Sequence, residues 1–206
     1  DVLHDIFIDR EGVIWMGTNN SGLTKFTRSN VLNHTRIYPT YTEEMGYENY
    51  VRMIHYSNDT LWIGTRRYLL QAYDHNLNLL ESRTLTTNIY SRCIDNEGIL
   101  WQGTRGNGLI IGDKQVRHHK GTAGALQNGD IFKLLKDSKG RIWIGTFGGG
   151  LALALKDSAQ ACGYSFRHFL NENYGMLRIR DLTEDRHGHI WAATNDGLCI
   201  FHPDSI

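Results

Sequence analysis

The sequence predicts an all-β protein made of β-propeller blades: five four-stranded antiparallel repeats that we expect to be part of a larger ring, with a free-standing five-bladed propeller as the alternative. All five tryptophans lie in copies of one pattern, Asp-x-x-Gly-x-(Ile/Leu)-Trp-x-Gly-Thr, and successive tryptophans are 47, 39, 42 and 48 residues apart. A repeat with a period of forty-odd residues is typical of blades with four short strands each. The five tryptophans are Trp15, Trp62, Trp101, Trp143 and Trp191.

The core of the pattern predicts a hairpin between the first and second strands of each blade. Asp bonds its own backbone and Gly supplies a positive φ, so Asp-x-x-Gly between two apolar runs indicates a tight turn. Ile-Trp-Ile-Gly-Thr then alternates like a strand. The Gly after Trp has no side chain, which favours close approach of a neighbouring sheet.

The remaining strands follow from apolar residues at fixed distances from Trp. Residues twelve and nine before Trp predict the first strand, Gly-Leu after the motif predicts the third, and a variable segment predicts the fourth. The first-strand pairs are Leu3 and Ile6, Tyr50 and Met53, Ile89 with Arg92, Ile131 and Leu134, and Ile179 and Leu182. The predicted blades of this single propeller segment, residues 1–206, are 1–46, 47–86, 87–126, 127–173 and 174–206.

The second copy departs most from the pattern. It has Tyr56 in the place of Asp and Asp59 in the place of the turn glycine, and Leu69-Leu70 replaces Gly-Leu. The same copy carries Arg66-Arg67-Tyr68 after its threonine. We therefore expect this blade to be the first place to look for a site.

The composition excludes several function classes. The chain of 206 residues has 22 basic and 22 acidic side chains, so no net charge attracts nucleic acid or an anionic membrane. No apolar run approaches the roughly twenty residues that span a bilayer. The chain begins at Asp1 without a signal peptide, so we expect a segment of a longer, processed protein. Cys93, Cys162 and Cys199 are expected to be buried free thiols, with one disulfide as the alternative.

The whole chain resembles the two-component regulator propeller repeat, and Asp137 to Leu151 is the copy nearest to that pattern. The resemblance implies a complete ring of about seven blades and the periplasmic sensor region of a hybrid two-component histidine kinase anchored in the inner membrane. It also implies an oligosaccharide ligand, neighbouring blades or domains of the same parent chain, and a homodimer of the parent sensor. No cofactor is expected, nor any direct membrane contact by this segment.

The turn between Thr and the third strand predicts the ligand-binding rim, because its residues differ from copy to copy. Guanidinium groups bind carboxylates or sulfates, amides bind hydroxyl groups, and rings stack on sugar faces. The alternative is an ordinary solvated loop. Linker amides such as Asn88, Gln127 and Asn128 form a second expected rim. The candidate ligand-binding residues are Arg66, Arg67, Tyr68, Arg105, Asn107, Asn19, Asn20, Phe147, Asn195 and Asp196.

Other residues are expected to be structural. The repeated aspartates cap turns and the tryptophans pack in the core. His187 and His189 flank a hairpin glycine with no third ligand, so no metal site is predicted. No catalytic motif occurs, and nothing selects a carboxylate pair among Asp130, Glu172 and Glu184. Two alternatives to a sensor remain open: a structural or protein-interaction propeller, and a propeller-type polysaccharide lyase or hydrolase.

Overall fold

The computed structural model describes residues 3–9, 11–18, 22–26, 34–37, 50–66, 68–169 and 178–205. Each tryptophan copy forms one antiparallel sheet, and the described residues contain almost no helix. The predicted fold class, all-β propeller blades, is confirmed. The chain divides into two compact units, Asp1–Ile89 and Tyr90–Ile206.

The first unit contains two four-stranded sheets, each with its strands in chain order. The first sheet consists of β1 Leu3–Ile8, β2 Ile14–Thr18, β3 Leu23–Phe26 and β4 His34–Ile37. The second consists of β5 Val51–Ser57, β6 Thr60–Thr65, β7 Leu69–Tyr73 and β8 Leu79–Thr84.

The second unit contains most of the third sheet and the whole of the fourth and fifth. The third sheet consists of β9 Ile89–Ile94, β10 Leu100–Thr104, β11 Leu109–Ile111 and β12 Lys114–Val116. The fourth consists of β13 Ile131–Lys136, β14 Ile142–Thr146, β15 Leu151–Lys156 and β16 Tyr164–Phe169. The fifth has three described strands, β17 Ile179–Glu184, β18 Ile190–Thr194 and β19 Gly197–Phe201, followed by a 3-10 helix, Pro203–Ser205.

The repeated aspartate fastens both the hairpin turn and the tryptophan. Asp137 Oδ1 accepts the backbone N–H groups of Lys139 and Arg141 at 3.0 and 2.8 Å, and Asp137 Oδ2 accepts the indole N–H of Trp143 at 2.9 Å. Gly140 closes this turn with a φ of 81°. The structural role predicted for the aspartates is therefore confirmed. The same indole–carboxylate bond joins Trp15 to Asp9, Trp101 to Asp95 and Trp191 to Asp185.

The second copy forms a different and shorter turn. Asn58 and Asp59 have φ values of 50° and 56°, as expected for the central residues of a two-residue type I′ hairpin. Tyr56 replaces the capping aspartate, and its hydroxyl donates to Asp59 Oδ1 at 3.3 Å. The loss of Asp and Gly in this copy therefore reflects a change of turn type.

The shorter turn moves the register of the second copy by one residue. Val51 pairs with Thr65, the threonine that ends the motif, and both Val51 and Ile54 are buried in the core. Met53 of the predicted first-strand pair lies in β5 and is buried, so that part of the assignment is confirmed. The residue that pairs with the motif threonine is Val51 and not Tyr50. Tyr50 instead precedes the strand and is available to the rim.

The glycine two residues after Trp allows consecutive blades to pack closely. A Cβ built on Gly145 would lie 2.5 Å from Ile179 Cγ2, and one on Gly103 would lie 2.6 Å from Ile131 Cγ2. In the first unit, a Cβ on Gly17 would lie 2.8 Å from Val51 Cγ1. These distances are shorter than carbon–carbon contact, so the prediction of close sheet approach is confirmed.

The motif threonine ties the second strand to the start of the third. Thr104, Thr146 and Thr194 each donate a side-chain hydroxyl to a glycine carbonyl three or four residues later, at 2.7 to 2.9 Å. The turn between these residues therefore begins and ends at fixed points. Its intervening residues are free to vary.

Free thiols were predicted, and all three cysteines are free. Cys93 is buried, and burial raises the pKa of its thiol to about 12. Cys162 and Cys199 are only half-buried, so the predicted burial was wrong for these two.

Candidate ligand-binding rim

The first strand of a blade carries a β-bulge next to its first core residue. The register shifts by one residue at Arg52 in β5, at Phe132 in β13 and at Arg180 in β17. A bulge re-aims one side chain out of the regular alternation of a strand. Tyr90 occupies the same position in β9, eleven residues before its tryptophan. In the fourth and fifth sheets this side chain contacts the turn that follows the threonine: Phe132 stacks on Phe147, and Arg180 bonds Asn195.

Three aromatic rings meet in the unit Tyr90–Ile206. Phe132 stacks on Phe147 with ring centroids 4.8 Å apart and planes 18° apart, and Tyr90 meets Phe132 edge-on at 5.2 Å. The backbone N–H of Phe147 donates to the carbonyl of Asp130 at 2.8 Å, and Phe147 forms a β-bridge with Arg178. Both phenylalanines are half-buried, so they are anchored and still reach the surface.

Two arginines lie against these rings. The Arg180 guanidinium is 4.6 Å from the Phe147 centroid and 5.7 Å from that of Phe132, and the Arg178 guanidinium is 5.3 Å from Phe147. Arg180 Nε also donates to Asn195 Oδ1 at 2.6 Å. Both arginines and Asn195 are exposed. The arginine–phenylalanine cluster consists of Tyr90, Phe132, Phe147, Arg178, Arg180 and Asn195.

Within the described part of the chain, neither Arg178 nor Arg180 forms an ion pair with an aspartate or glutamate. Asp181, the next residue in the strand, pairs with Lys133 at 2.8 Å. The guanidinium groups are therefore positioned by ring faces and one amide oxygen, a geometry that suits cation–π contact.

A smaller group of the same kind occurs in the unit Asp1–Ile89. The guanidinium groups of Arg52 and Arg66 lie 5.7 and 5.6 Å from the Tyr50 ring centroid. Tyr68 has a φ of 65°, and its backbone N–H donates to Asn88 Oδ1 at 2.8 Å. The Tyr68 ring is 48% exposed, which leaves it accessible to a ligand.

The structure brings only some of the sequence-predicted site residues together. Phe147 and Asn195 meet through Arg180, whereas Arg66 contacts Tyr50 in the other unit. Arg105 and Asp196 are exposed, and the Asn107 carbonyl accepts a hydrogen bond from Gln115 at 3.2 Å. The predicted Asn19, Asn20 and Arg67 lie outside the described residues. Ligand binding by each of these ten residues stays a prediction.

Residue-by-residue reading missed Tyr90, Phe132, Arg178 and Arg180. For Tyr90, Phe132 and Arg180 the signal available was a second variable position, eleven residues before Trp and next to the apolar residue that recurs twelve before it. Arg178 lies thirteen residues before Trp191 and has no such signal. Linker amides, in contrast, bind the protein's own groups. The Gln127 side chain bonds the backbone of Gly121 and Ala125, and Asn128 Oδ1 accepts the N–H of Asp130 at 2.7 Å.

Two clefts lie beside the Asp-x-x-Gly hairpins. The larger, of about 410 Å³, is lined by residues of the first unit that include Asp9, Trp15 and Tyr56. The smaller, of about 300 Å³, lies in the second unit beside Asp95 and Arg141, and the Lys156–Glu97 ion pair lines it. Most of the polar side chains here hold turns or pair with each other, so these clefts are weaker candidates than the rim.

Metal ligation has no preformed place among the described residues. No group of three or more His, Cys, Asp or Glu side chains there is arranged to hold an ion. The ring centroids of His187 and His189 are 6.0 Å apart, and His189 Nδ1 lies 3.0 Å from Asp185 Oδ2 in the hairpin. Among the helices of the described ranges, none is long and apolar enough to cross a membrane.

The fold and this rim define the class of the protein: a β-propeller segment whose variable turns present arginine, amide and aromatic side chains. Within that class, the family model described as "Two component regulator propeller" matches residues 1–20 and 125–148. The family model therefore matches one stretch at the start of the first blade and one in the fourth, in agreement with the resemblance that the sequence pattern indicated. No curated protein sequence matches the chain.

Solved structures show the same fold at low identity. The extracellular domain of a protein assigned as a hybrid two-component system from B. thetaiotaomicron is 19% identical, with a TM-score of 0.58 over 100% of this chain and 34% of its own. Virginiamycin B lyase from Staphylococcus aureus is 13% identical, with a TM-score of 0.65 over 97% of this chain and 69% of its own. PorZ from Porphyromonas gingivalis is 15% identical, with a TM-score of 0.65 over 97% and 32%. The chain thus spans about a third of the first and third of these proteins.

Proposed function

We propose that this chain is a non-catalytic, extracytoplasmic sensor segment of a hybrid two-component histidine kinase. We further propose that it binds an oligosaccharide released from a polysaccharide. The propeller repeats and the extracellular two-component domain of similar fold support the sensor assignment. A periplasmic location, an inner-membrane parent chain and a sensor homodimer belong to the same proposal.

The observation that carries the ligand proposal is the arginine–phenylalanine cluster. Phe132 and Phe147 supply apolar ring surface, Asn195 supplies an amide, and Arg178 and Arg180 supply exposed guanidinium groups. Sugar rings pack their apolar faces on aromatic side chains while polar groups bond their hydroxyls. The sequence-predicted Arg66 and Tyr68 add similar chemistry in the first unit.

Signal transmission requires that the ligand favour one arrangement of the sensor over another. A ligand that bound both arrangements equally would shift nothing, however tightly it bound. We propose that rim contacts formed in one arrangement of a sensor homodimer supply this difference, which then passes to the kinase.

Calorimetric titration of the chain with a panel of neutral and acidic oligosaccharides tests ligand binding. We expect saturable binding of at least one member without any change in the sugar. Phe147→Ala should weaken that binding about tenfold or more, because it removes the ring that supports both guanidinium groups. Phe169→Ala is the matched control, since Phe169 contacts Trp143 in the core instead of the rim.

The other outcomes separate the competing functions. Product formation from any oligosaccharide would support the lyase or hydrolase alternative. Absence of binding to every oligosaccharide would reject the carbohydrate proposal for this segment and favour a structural propeller. Unchanged affinity in both Phe147→Ala and the combined Arg66→Ala, Arg67→Ala, Arg105→Ala variant would show that the rim assignment is wrong.

A further inference from the structure

We infer that the ligand of the arginine–phenylalanine cluster carries a negatively charged group, a carboxylate or a sulfate, which Arg178 and Arg180 bind together. The inference rests on the proposed function and narrows it from oligosaccharides in general to acidic oligosaccharides. It concerns two residues that the turn-by-turn reading of the sequence did not select.

The first argument is that two positive charges converge on one ring. Arg178 and Arg180 lie 5.3 and 4.6 Å from the same Phe147 centroid. Both guanidinium groups lie within 5.3 Å of one centroid, so they are at most about 10 Å apart, a range over which like charges still repel each other. An anion between the two guanidinium groups would remove the repulsion and gain two charge-assisted contacts.

The second argument comes from a matched arginine in the same unit. Arg141 lies 5.7 Å from the Trp143 ring, but its Nε bonds Asp137 at 2.5 Å and its NH1 bonds Asp204 at 3.3 Å. The protein therefore neutralises this particular ring-stacked arginine with its own carboxylates. Arg178 and Arg180 are exposed, and within the described ranges neither has a carboxylate partner of this kind.

The third argument concerns the hydrogen-bonding groups that remain. Arg180 uses Nε for Asn195 Oδ1, which fixes the plane of its guanidinium and leaves the terminal nitrogens directed elsewhere. A guanidinium is a planar set of donors without an acceptor, matched to carboxylate or sulfate oxygens. A neutral sugar also needs acceptors for its hydroxyl protons. Among the described residues, the acids on adjoining segments are Asp181, which pairs with Lys133, and Asp130 and Asp196.

The experiment uses pairs of probes that differ only in charge. The intact chain is titrated with a galacturonic acid tetramer and its methyl ester, with a sulfated galactan tetramer and its desulfated form, and with sodium sulfate alone. We expect the acidic member of at least one pair to bind about tenfold more tightly than its neutral partner. Binding should weaken as salt is added, because exposed charges are screened.

Variants locate the effect. The Arg178→Gln, Arg180→Gln double variant should lose the preference for the acidic probe, while Arg178→Lys, Arg180→Lys should retain part of it because charge remains without the planar fork. Arg141→Gln, which removes a ring-stacked arginine away from the rim, should leave the preference unchanged. Thermal unfolding of each variant confirms that the compared proteins are folded.

The outcomes distinguish this inference from the proposed function. Equal binding of both members of each pair, or an unchanged preference in the double glutamine variant, overturns the anion inference and leaves oligosaccharide sensing intact. Arginine-dependent binding of sodium sulfate without binding of any oligosaccharide supports the anion site and rejects the carbohydrate ligand. Absence of binding to every probe overturns both.

Discussion

At the scale of single residues, repetition and variation indicate opposite roles. Four of the five copies have an aspartate at the position of Asp137, and the Asp137 carboxylate accepts hydrogen bonds from two backbone N–H groups and an indole N–H. Phe147 and Arg180 vary between copies and lie on the surface beside the turn. A carboxylate whose oxygens already accept hydrogen bonds from the protein has little capacity to bind a ligand. A side chain that the fold does not need for such bonds can differ from blade to blade and bind different ligands.

Replacing Asp137 by Asn tests the structural role of the repeated carboxylate. We expect a loss of about 1–3 kcal/mol in the free energy of unfolding, because the amide cannot accept from both the turn and the indole. Urea unfolding followed by tryptophan fluorescence measures the loss. Asp157→Asn is the control. Asp157 also caps a turn, by accepting the N–H of Ala159, but among the described residues no indole donates to it. Equal losses in the two variants would show that the indole bond contributes nothing.

At the scale of elements, the hairpins decide which residues reach the core and which reach the rim. Four blades show the same first-strand bulge, three with the Asp-x-x-Gly turn and one with the type I′ turn, so the bulge belongs to the blade and not to one turn type. In the second copy the type I′ turn shortens the hairpin by one residue. That change brings Val51 into the core and places Tyr50 beside Arg66.

Replacing Gly145 by Ala tests the contact between consecutive blades. The new Cβ would lie 2.5 Å from Ile179 Cγ2 and 3.3 Å from Leu182 Cδ1, so the sheets must move apart. We expect a destabilisation of about 1–3 kcal/mol from overpacking, measured by urea unfolding.

A double-mutant cycle with Ile179→Ala supplies the control for this substitution. Ile179→Ala removes the Cγ2 that the new methyl group would meet, so Gly145→Ala should cost less in that background. If the two free-energy changes simply added, the cost of Gly145→Ala would not come from the contact with Ile179.

At the scale of the whole molecule, the same repeat position has different burial in different blades. Ile131 and Ile179 are 0% exposed, and each lies against the glycine of the preceding blade. Leu3 and Ile6 are 44% and 53% exposed in the first blade. The apolar pattern therefore predicts which face of the first strand can be buried. Whether that face is buried depends on a neighbouring sheet packing against it. The number of blades in the complete ring stays a prediction.

Acid stability is a property of the whole molecule, because carboxylates with shifted pKa values are distributed along the chain. The indole of Trp191 and backbone N–H groups hold the pKa of Asp185 below its usual range. Burial would raise the pKa of Asp137, but hydrogen bonds from Trp143 and Arg141 outweigh it and the pKa is lowered. Contacts with Lys139 and Arg141 lower the pKa of Asp204.

These shifts predict the direction of the pH dependence. A carboxylate with a lowered folded-state pKa contributes stability above its unfolded pKa, and that contribution is lost as pH falls below about 4. Burial lowers the pKa of His168, so a separate, earlier decline should begin below about pH 6.5, where the unfolded histidine takes up a proton first. The urea concentration at the unfolding midpoint, measured between pH 7 and pH 3, should decrease first below about pH 6.5 and again below about pH 4. A midpoint that rose on acidification would contradict both assignments.

The sequence by itself determined the fold class, the turn chemistry and the structural role of the repeated aspartates, because these depend on contacts between residues six or fewer places apart. Asp137 and Trp143, for example, lie on one hairpin and must meet. Only the tertiary structure decided the register of the second blade and the composition of the site. Phe132 and Arg180 come from two first strands and Phe147 from the turn after β14, and a one-residue bulge directs the first two to the rim. A bulge changes the side of the strand that a residue faces, and contacts with distant residues depend on that side. Spacing along the chain therefore predicts neither the bulge nor these contacts.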